Sequence, residues 1–310
     1  MIITLTPNPS VDQTVWVDRL EIGTVNRFRS PQLDPAGKGI NVSRVADRLG
    51  WPTIAFGFLA GEIGLIAQNA LDDEGVQHHF VNVPGQTRLN VTVVDETSRE
   101  STSLYGPGPT VDQERLAKLD DLLQFWLQAG RVLVLAGSLP PGLPDNTYAT
   151  YIRLARSKQV KPILDTDDEP FRFGVEAKPY LIKPNVAEAE RLLRRSLPDL
   201  NAVVDGATEL VQTGISVVVV SMGAQGAVCA QGNRVWQAIP PKVERLSTVG
   251  SGDSLVAGLA VAIARGDDIV EGLRLGTAAG AATAMTPGTA LGTAEMVAAL
   301  LPQVQITELR

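Results

Sequence analysis

The sequence predicts an α/β fold with a mainly parallel sheet, and three observations carry that reading. Short apolar runs alternate with longer amphipathic stretches, the pattern of successive βαβ units with helices on both faces of a sheet. The C-terminal third, from Gly252 onward, is mostly helical in pattern and rich in alanine. Two segments depart from the alternation, switching between apolar and polar residues with no helix between their halves.

Strands are expected at Ile2–Thr6, Thr53–Phe58, Val132–Ala136, Pro162–Asp165, Tyr180–Ile182 and Val217–Ser221. Helices are expected at Asn41–Leu49, Ile63–Asp73, Glu114–Gln128, Thr147–Ser157 and Ala202–Thr213. Thr110-Val111-Asp112-Gln113 reads as a capping box opening one of them. The departing segments pair Thr14–Asp18 with Val25–Arg29 and Arg88–Val94 with Ser101–Leu104. Turns are expected near Glu21-Ile22-Gly23 and Asp95-Glu96-Thr97-Ser98. They read as antiparallel ribbons. A small sheet built from them would cover an active site, a dimer interface or both, unless it only decorates an edge of the main sheet.

The 310 residues are 44% hydrophobic and 20% charged, a globular rather than a disordered composition. A chain of this length buries a large core without staples. The single cysteine, Cys229, excludes an intrachain disulfide and a cysteine-cluster metal site, and fits a reducing compartment. A net charge of −7 repels nucleic acid and anionic lipid. No Lys/Arg run overrides it; Arg191, Arg194 and Arg195 read as a solvated helix face. Met1–Leu5 runs into Thr6-Pro7-Asn8-Pro9 without a basic head, so no secretory signal is expected. Leu255–Ala264, the most apolar stretch, is too short for a membrane span. The expectation is a cytoplasmic protein without nucleic-acid or membrane partners.

The strongest local feature is Ser247-Thr248-Val249-Gly250-Ser251-Gly252-Asp253-Ser254, directly before that apolar run. Two glycines allow a tight turn with bare N–H groups, and a helix starting there aims its free amides and positive dipole end at the loop. Asp253 could cap the helix or accept a proton from a nucleophile, and on this motif alone both readings stand. A second glycine-rich element, Pro35-Ala36-Gly37-Lys38-Gly39-Ile40-Asn41-Val42-Ser43, also leads into a helix. Lys38 adds a cation suited to a phosphate or polyol, although the loop could equally serve close packing. Neither element is a Walker A loop, because Gly37-Lys38 is followed by Gly39 and position 32 is Gln. Neither is a dinucleotide fingerprint, because the third position after Gly252 is Leu255 rather than Gly.

Together, Ala36-Gly37-Lys38-Gly39-Ile40-Asn41-Val42 and Thr248-Val249-Gly250-Ser251-Gly252-Asp253-Ser254 resemble the two signatures of the PfkB (ribokinase-like) carbohydrate kinases. The opening Thr4-Leu5-Thr6-Pro7-Asn8-Pro9-Ser10-Val11-Asp12 is similar to that of 1-phosphofructokinases and tagatose-6-phosphate kinases. Further similar pieces follow in the family's order: Thr87-Arg88-Leu89-Asn90-Val91, Ala136-Gly137-Ser138-Leu139-Pro140-Pro141-Gly142, Lys183-Pro184-Asn185-Val186-Ala187-Glu188 and Ser221-Met222-Gly223-Ala224-Gln225-Gly226. The resemblance spans essentially the whole chain. It implies one ribokinase-like domain over residues 1–310, a three-layer sandwich with a mainly parallel central sheet and a small antiparallel β lid. The lid would come from ribbons at about residues 12–30 and 88–105.

The resemblance also implies roles. Asp253 would be the general base, and the amides of Gly250, Ser251 and Gly252 the anion hole for the transferring phosphoryl group, where phosphoryl-transfer enzymes obtain most of their catalysis. Lys183, Asn185, Ser221, Gly223, Ala224 and Gly226 would line the ATP site. Asn185 and Glu188 match an N-x-x-E motif that acts on Mg2+ through bound water, although Glu188 could also be an ordinary exposed helix residue. Asp12 and Asn41, with Gly37, would hold acceptor hydroxyls. Arg88 and Lys38, with Asn90 and Ser138, would hold a phosphate already on the acceptor, and Arg27 could reach it from the lid across a dimer. His78 and His79 match no motif and read as surface or loop residues.

The implied activity is ATP-dependent phosphorylation of a phosphorylated ketohexose, fructose 1-phosphate first, by a homodimer paired through its lid. Lys38 and Tyr105-Gly106-Pro107-Gly108-Pro109 favour that acceptor. Thr286-Pro287-Gly288-Thr289-Ala290 instead resembles the minor 6-phosphofructokinases, so fructose 6-phosphate and tagatose 6-phosphate stand as alternatives. Outside enzymology, the alternative is a non-catalytic sugar-phosphate sensor, which the presence of Asp253, Gly250 and Gly252 speaks against. Ser251 departs from the family's usual alanine, and Asp167-Asp168 receives no role.

Overall fold

The strands Ile2–Thr6 and Val132–Ala136 lie side by side at the centre of a ten-stranded sheet, and every residue in both is buried. The computed structural model describes residues 1–29 and 31–310. Ser30, the end of the first expected ribbon, lies outside the described residues. From one edge the sheet runs Gln305–Glu308, Arg234–Ile239, Ala227–Gln231, Val217–Ser221 and Leu181–Ile182. It continues through Lys161–Asp165, Val132–Ala136, Ile2–Thr6, Thr53–Leu59 and His78–Asn82. From Val217–Ser221 to His78–Asn82 every pairing is parallel, and the other three strands join antiparallel. His78 and His79, expected in a surface or loop position, begin the edge strand.

Helices cover both faces, which is why the central strands are buried throughout and mostly apolar. Ile3, Leu5, Leu133 and Leu135 point into one core, with Leu119, Leu123, Tyr148 and Ile152 from the helices Gln113–Trp126 and Thr147–Ser157. Ile2, Val132 and Val134 point into the other, with Val42, Val45, Val256 and Leu259 from Lys38–Arg48 and Ser251–Arg265. Burying each such side chain contributes about 1.5–3 kcal/mol relative to leaving it exposed. The alanine-rich end forms Ser251–Arg265 and Ile269–Ala284, pressed together at Gly258, where a Cβ would fall 2.4 Å from the Gly276 backbone. The expected strands and helices are present with ends displaced by up to three residues. The expected capping box at 110–113 is not formed: Asp112 is the N-cap and accepts from the N–H of Arg115 at 2.9 Å.

A separate four-stranded sheet runs in the order Gln32–Ala36, Ser10–Val17, Arg88–Asp95 and Ser101–Leu104. The hairpin Arg88–Asp95 with Ser101–Leu104 is antiparallel as expected, and Asp95 closes its turn by accepting from the N–H groups of Thr97 and Ser98. The first ribbon differs. Ser10–Val17 pairs antiparallel with Gln32–Ala36 rather than with Val25–Arg29, and parallel with Arg88–Asp95. Asn26 explains the change: its side chain bonds both the N–H and the C=O of Glu21, closing a local loop that competes with a strand ladder.

Candidate active site

Several segments bring chemistry to the carboxyl ends of the parallel strands, where open α/β sheets bind their ligands. The first is the glycine turn before Ser251–Arg265. Gly250 adopts φ 76°, a conformation that favours glycine, and a Cβ there would fall 2.7 Å from Leu291 Cδ2. Ser251 and Gly252 follow with first-turn amides that have no partner four residues back. Asp253 makes no capping bond. It is buried in the first turn and accepts from Asn41 Nδ2 at 2.8 Å. Asn41, expected to face an acceptor hydroxyl, is thus turned onto the carboxylate.

Asn41 comes from the second segment. Gly37, with φ 126°, starts Lys38–Arg48 so close to the first strand that a Cβ on it would meet Thr6 Cγ2 at 2.7 Å. Lys38 Nζ lies 3.0 Å from Asp165 Oδ1, and Lys183 Nζ lies 3.5 Å from the same oxygen. Asp165 ends its strand and is almost wholly buried. Burial would raise its pKa, but Lys183 and Lys38 outweigh burial and hold it below the ordinary carboxylate range. Lys38 stays charged because Asp165 and Asp253 together overcome its desolvation. Asp253 is pushed up to about 6, first by burial and then by the charge of Asp165, against the pull of Asn41, Lys38 and Lys183.

Two expected groupings are not brought together in the same way. Lys38 is paired with Asp165, whereas Arg88 donates to the C=O of Asn8, so the two expected phosphate-binding cations have different partners. Lys183 sits under the glycine turn, with Nζ 3.5 Å from where a Gly252 Cβ would be, rather than among the residues lining the large cleft. Asp165 causes both shifts. Its signal in the sequence was a carboxylate closing a buried parallel strand, a position that favours function over packing.

The small sheet supplies the third group. Asp12 and Asn90 are register partners, and Asp12 Oδ1 accepts from Asn90 Nδ2 at 2.9 Å and Ser10 Oγ at 2.8 Å. Burial raises the Asp12 pKa, partly offset by those two hydrogen bonds. Arg88 donates to the C=O of Asn8 at 2.8 Å, while its buried Nε has no partner among the described residues. Asn8, absent from the expected set, reaches Ser138 Oγ at 3.3 Å and Pro107 O at 3.0 Å. Arg27 is exposed in the irregular segment between Ser10–Val17 and Gln32–Ala36, and is not placed against these residues.

Beside the glycine turn opens a cleft of about 880 Å³. Asn185, Ser221, Gly223, Ala224 and Gly226 line it as expected, with Ser251 and Gly252 also exposed to it. Lys242 and Arg245 add to the lining from a segment with no distinctive pattern, and Thr248 from the glycine-turn motif itself. The volume suits a nucleoside triphosphate whose phosphates reach the amides at 250–252. Asn185 and Glu188 form a capping box: the Glu188 carboxylate accepts from the Asn185 N–H at 2.8 Å, and the Asn185 side chain accepts from the Glu188 N–H at 2.9 Å. Glu188 is buried rather than an exposed helix residue. Among the described residues no group of three or more His, Cys, Asp or Glu could hold a metal. The Glu188 carboxylate and the Asn185 amide are oxygen donors of the kind that act on Mg2+ through its bound waters. No helix among the described residues is long and apolar enough to cross a membrane.

A model of the pfkB family carbohydrate kinases matches residues 6–296. The chain is 36% identical to 1-phosphofructokinase of Bacillus subtilis over 309 residues, covering 100% of both chains. It is 35% identical to 1-phosphofructokinase of Vibrio cholerae, covering 99% of this chain and 97% of that one. Phosphofructokinase-2 from Escherichia coli, in complex with substrates and products, superposes with a TM-score of 0.94 at 31% identity, covering 97% of this chain and 98% of that one.

Proposed function

This chain belongs to the pfkB family of carbohydrate kinases, and from that membership we propose that it transfers the γ-phosphoryl group of ATP to fructose 1-phosphate, giving fructose 1,6-bisphosphate. The carrying observation is the position of Asp253. It is a buried carboxylate next in sequence to two residues of the donor cleft, with its pKa raised to about 6. Such a group is ionised at neutral pH yet basic enough to take the proton of an attacking hydroxyl. The amides of Gly250, Ser251 and Gly252, with Lys38 and Lys183 beside them, meet the charge on the transferring group. Mg2+, held through Asn185 and Glu188, would neutralise donor phosphate charge. Asp12 and Asn90 accept and donate to acceptor hydroxyls, and Arg88 with Ser138 holds the phosphate the acceptor already carries.

We read residues 1–310 as one kinase domain whose small sheet is a lid. One lid face carries Asp12, Asp34 and Asn90, and the other exposes Leu33, Leu89 and Leu104. A second copy covering that apolar face gives a homodimer.

The test is an ADP-release assay with ATP and Mg2+ against fructose 1-phosphate, fructose 6-phosphate, tagatose 6-phosphate and free fructose. Preference for fructose 1-phosphate supports the proposal; preference for another sugar phosphate moves the chain to that activity. Turnover of none, by folded protein that binds ATP, would favour a sensor. Arg88→Ala should raise KM for the phosphorylated acceptor by about thirtyfold or more and leave any turnover of free fructose little changed, as loss of a buried charge partner costs several kcal/mol. Equal losses on both would sink the anchor role.

A further inference from the structure

The segment 286–292 has no part in the chemistry above, yet it touches both halves of the site. At one end Thr289 Oγ1 donates to Asp34 Oδ2 at 2.5 Å, and Asp34 is the register partner of Asp12. Gly288, with φ 59°, lies over Thr14 of the same sheet, where a Cβ would come 3.3 Å from Thr14 Oγ1. At the other end Leu291 packs against Gly250. Thr283 Oγ1 is 2.7 Å from Ser254 Oγ in the first turn of the glycine-turn helix, and accepts from the Gly292 N–H at 3.0 Å. Arg48 donates to Leu291 O at 2.8 Å, tying the same segment to the helix that carries Lys38 and Asn41.

Between its ends the segment is stiff. Thr286 Oγ1 lies 2.7 Å from Thr283 O and 2.5 Å from Ala290 O, and the N–H of Ala290 bonds Pro287 O at 3.2 Å. Thr289 is buried and Asp34 half-buried, and Asp34 Oδ2 accepts a second hydrogen bond from Gln32 Nε2 at 2.7 Å within its own strand.

We propose that Asp34 and Thr289 are positioning residues, a latch that fixes the acceptor-binding sheet at a set distance from the anion hole. Neither side chain need touch a substrate. The small sheet is separate from the main sheet, so what joins the two bodies sets the distance from Asp12 to Asp253. Gln32–Ala36 runs through Gly37 into Lys38–Arg48 and Val11 packs on Leu59 and Ala67, while Thr289 adds the join to the segment that packs on Gly250. This rests on the kinase reading and adds how donor and acceptor halves are held in register.

Thr289→Val keeps the side-chain shape and removes the donor. The KM for the ketohexose phosphate should rise about tenfold, as a hydrogen bond to a charged group is lost. The KM for ATP should stay within about twofold, because the donor cleft is lined by other residues. The acid limb of the pH profile should not move, since the residues that set Asp253 are untouched. Thr289→Ser should restore the acceptor KM, and Asp34→Asn should reproduce the loss in weaker form. Asp34→Asn also serves should Thr289→Val fail to fold, as judged by thermal unfolding. An unchanged acceptor KM in the folded variants, or equal rises in both KM values, would overturn the latch. If wild-type protein turns over no sugar phosphate, the kinase reading fails instead. Calorimetric binding of fructose 1-phosphate, with and without a non-hydrolysable ATP analogue, then tests the latch directly: weaker binding only in the variants supports it, and equal binding overturns it.

Discussion

Two carboxylates, one buried and one half-buried, face each other's chemistry from different bodies, Asp253 in the main domain layer and Asp12 in the small sheet. Both have raised pKa values with burial as the leading cause, but the next influence differs. For Asp253 it is the charge of Asp165, which pushes it further up against the pull of Asn41, Lys38 and Lys183. For Asp12 it is the neutral donors Ser10 and Asn90, with Arg88 and Asp34 acting after them. A carboxylate tuned by charges can change protonation during a reaction, and one tied by neutral hydrogen bonds is fitted to bind hydroxyls.

The largest effect that would break this comparison belongs to the base. Asp253→Asn should lower kcat by about a hundred- to ten-thousand-fold while calorimetric ATP binding is retained, because proton removal is lost and the shape is kept. Asp12→Asn should instead raise acceptor KM by roughly tenfold with a smaller change in kcat. If the two variants lost kcat alike, the division between base and binding carboxylate would be wrong.

How legible these two regions were in the sequence follows the same division. Asp253 and its glycine turn are contiguous, and the chain itself fixes which residues stand together. The central strands were legible too, because burial on both faces leaves an unbroken apolar run. The partner of Ser10–Val17 was not, since that choice lies between distant segments and was decided by Asn26 closing its own loop. The Asp165 partner of Lys38 was not legible, because nothing in its motif reveals a carboxylate that lies 127 residues away in the chain. Asn8 was passed over for a similar reason: its partners Pro107 and Ser138 come from later loops.

The charge environment of Asp253 makes the next effect a shift in pH dependence. The base must be ionised, so kcat/KM should rise through about pH 6 and level off above it. Asp165→Asn removes a negative charge that opposes ionisation and should move that limb to lower pH. Asn41→Ala removes a donor that favours the ionised form and should move it to higher pH. Asp165→Asn also leaves Lys38 and Lys183 without their partner, so the position of the limb, not its height, is the readout. Displacement of both variants in one direction would show that some other group sets the limb.

The smallest effect tests whether the anion hole works through its backbone. Ser251 stands in the first turn, and its buried Oγ has no hydrogen-bond partner among the described residues. Gly250 and Gly252 flank it, so the functional atoms at this position are amides, which a side-chain change leaves in place. Ser251→Ala should therefore change kcat/KM by less than about twofold and leave the melting temperature equal or slightly higher, since an unsatisfied buried hydroxyl is removed. A tenfold or greater loss of kcat with unchanged ATP binding would assign the hydroxyl itself to the transferring phosphoryl group.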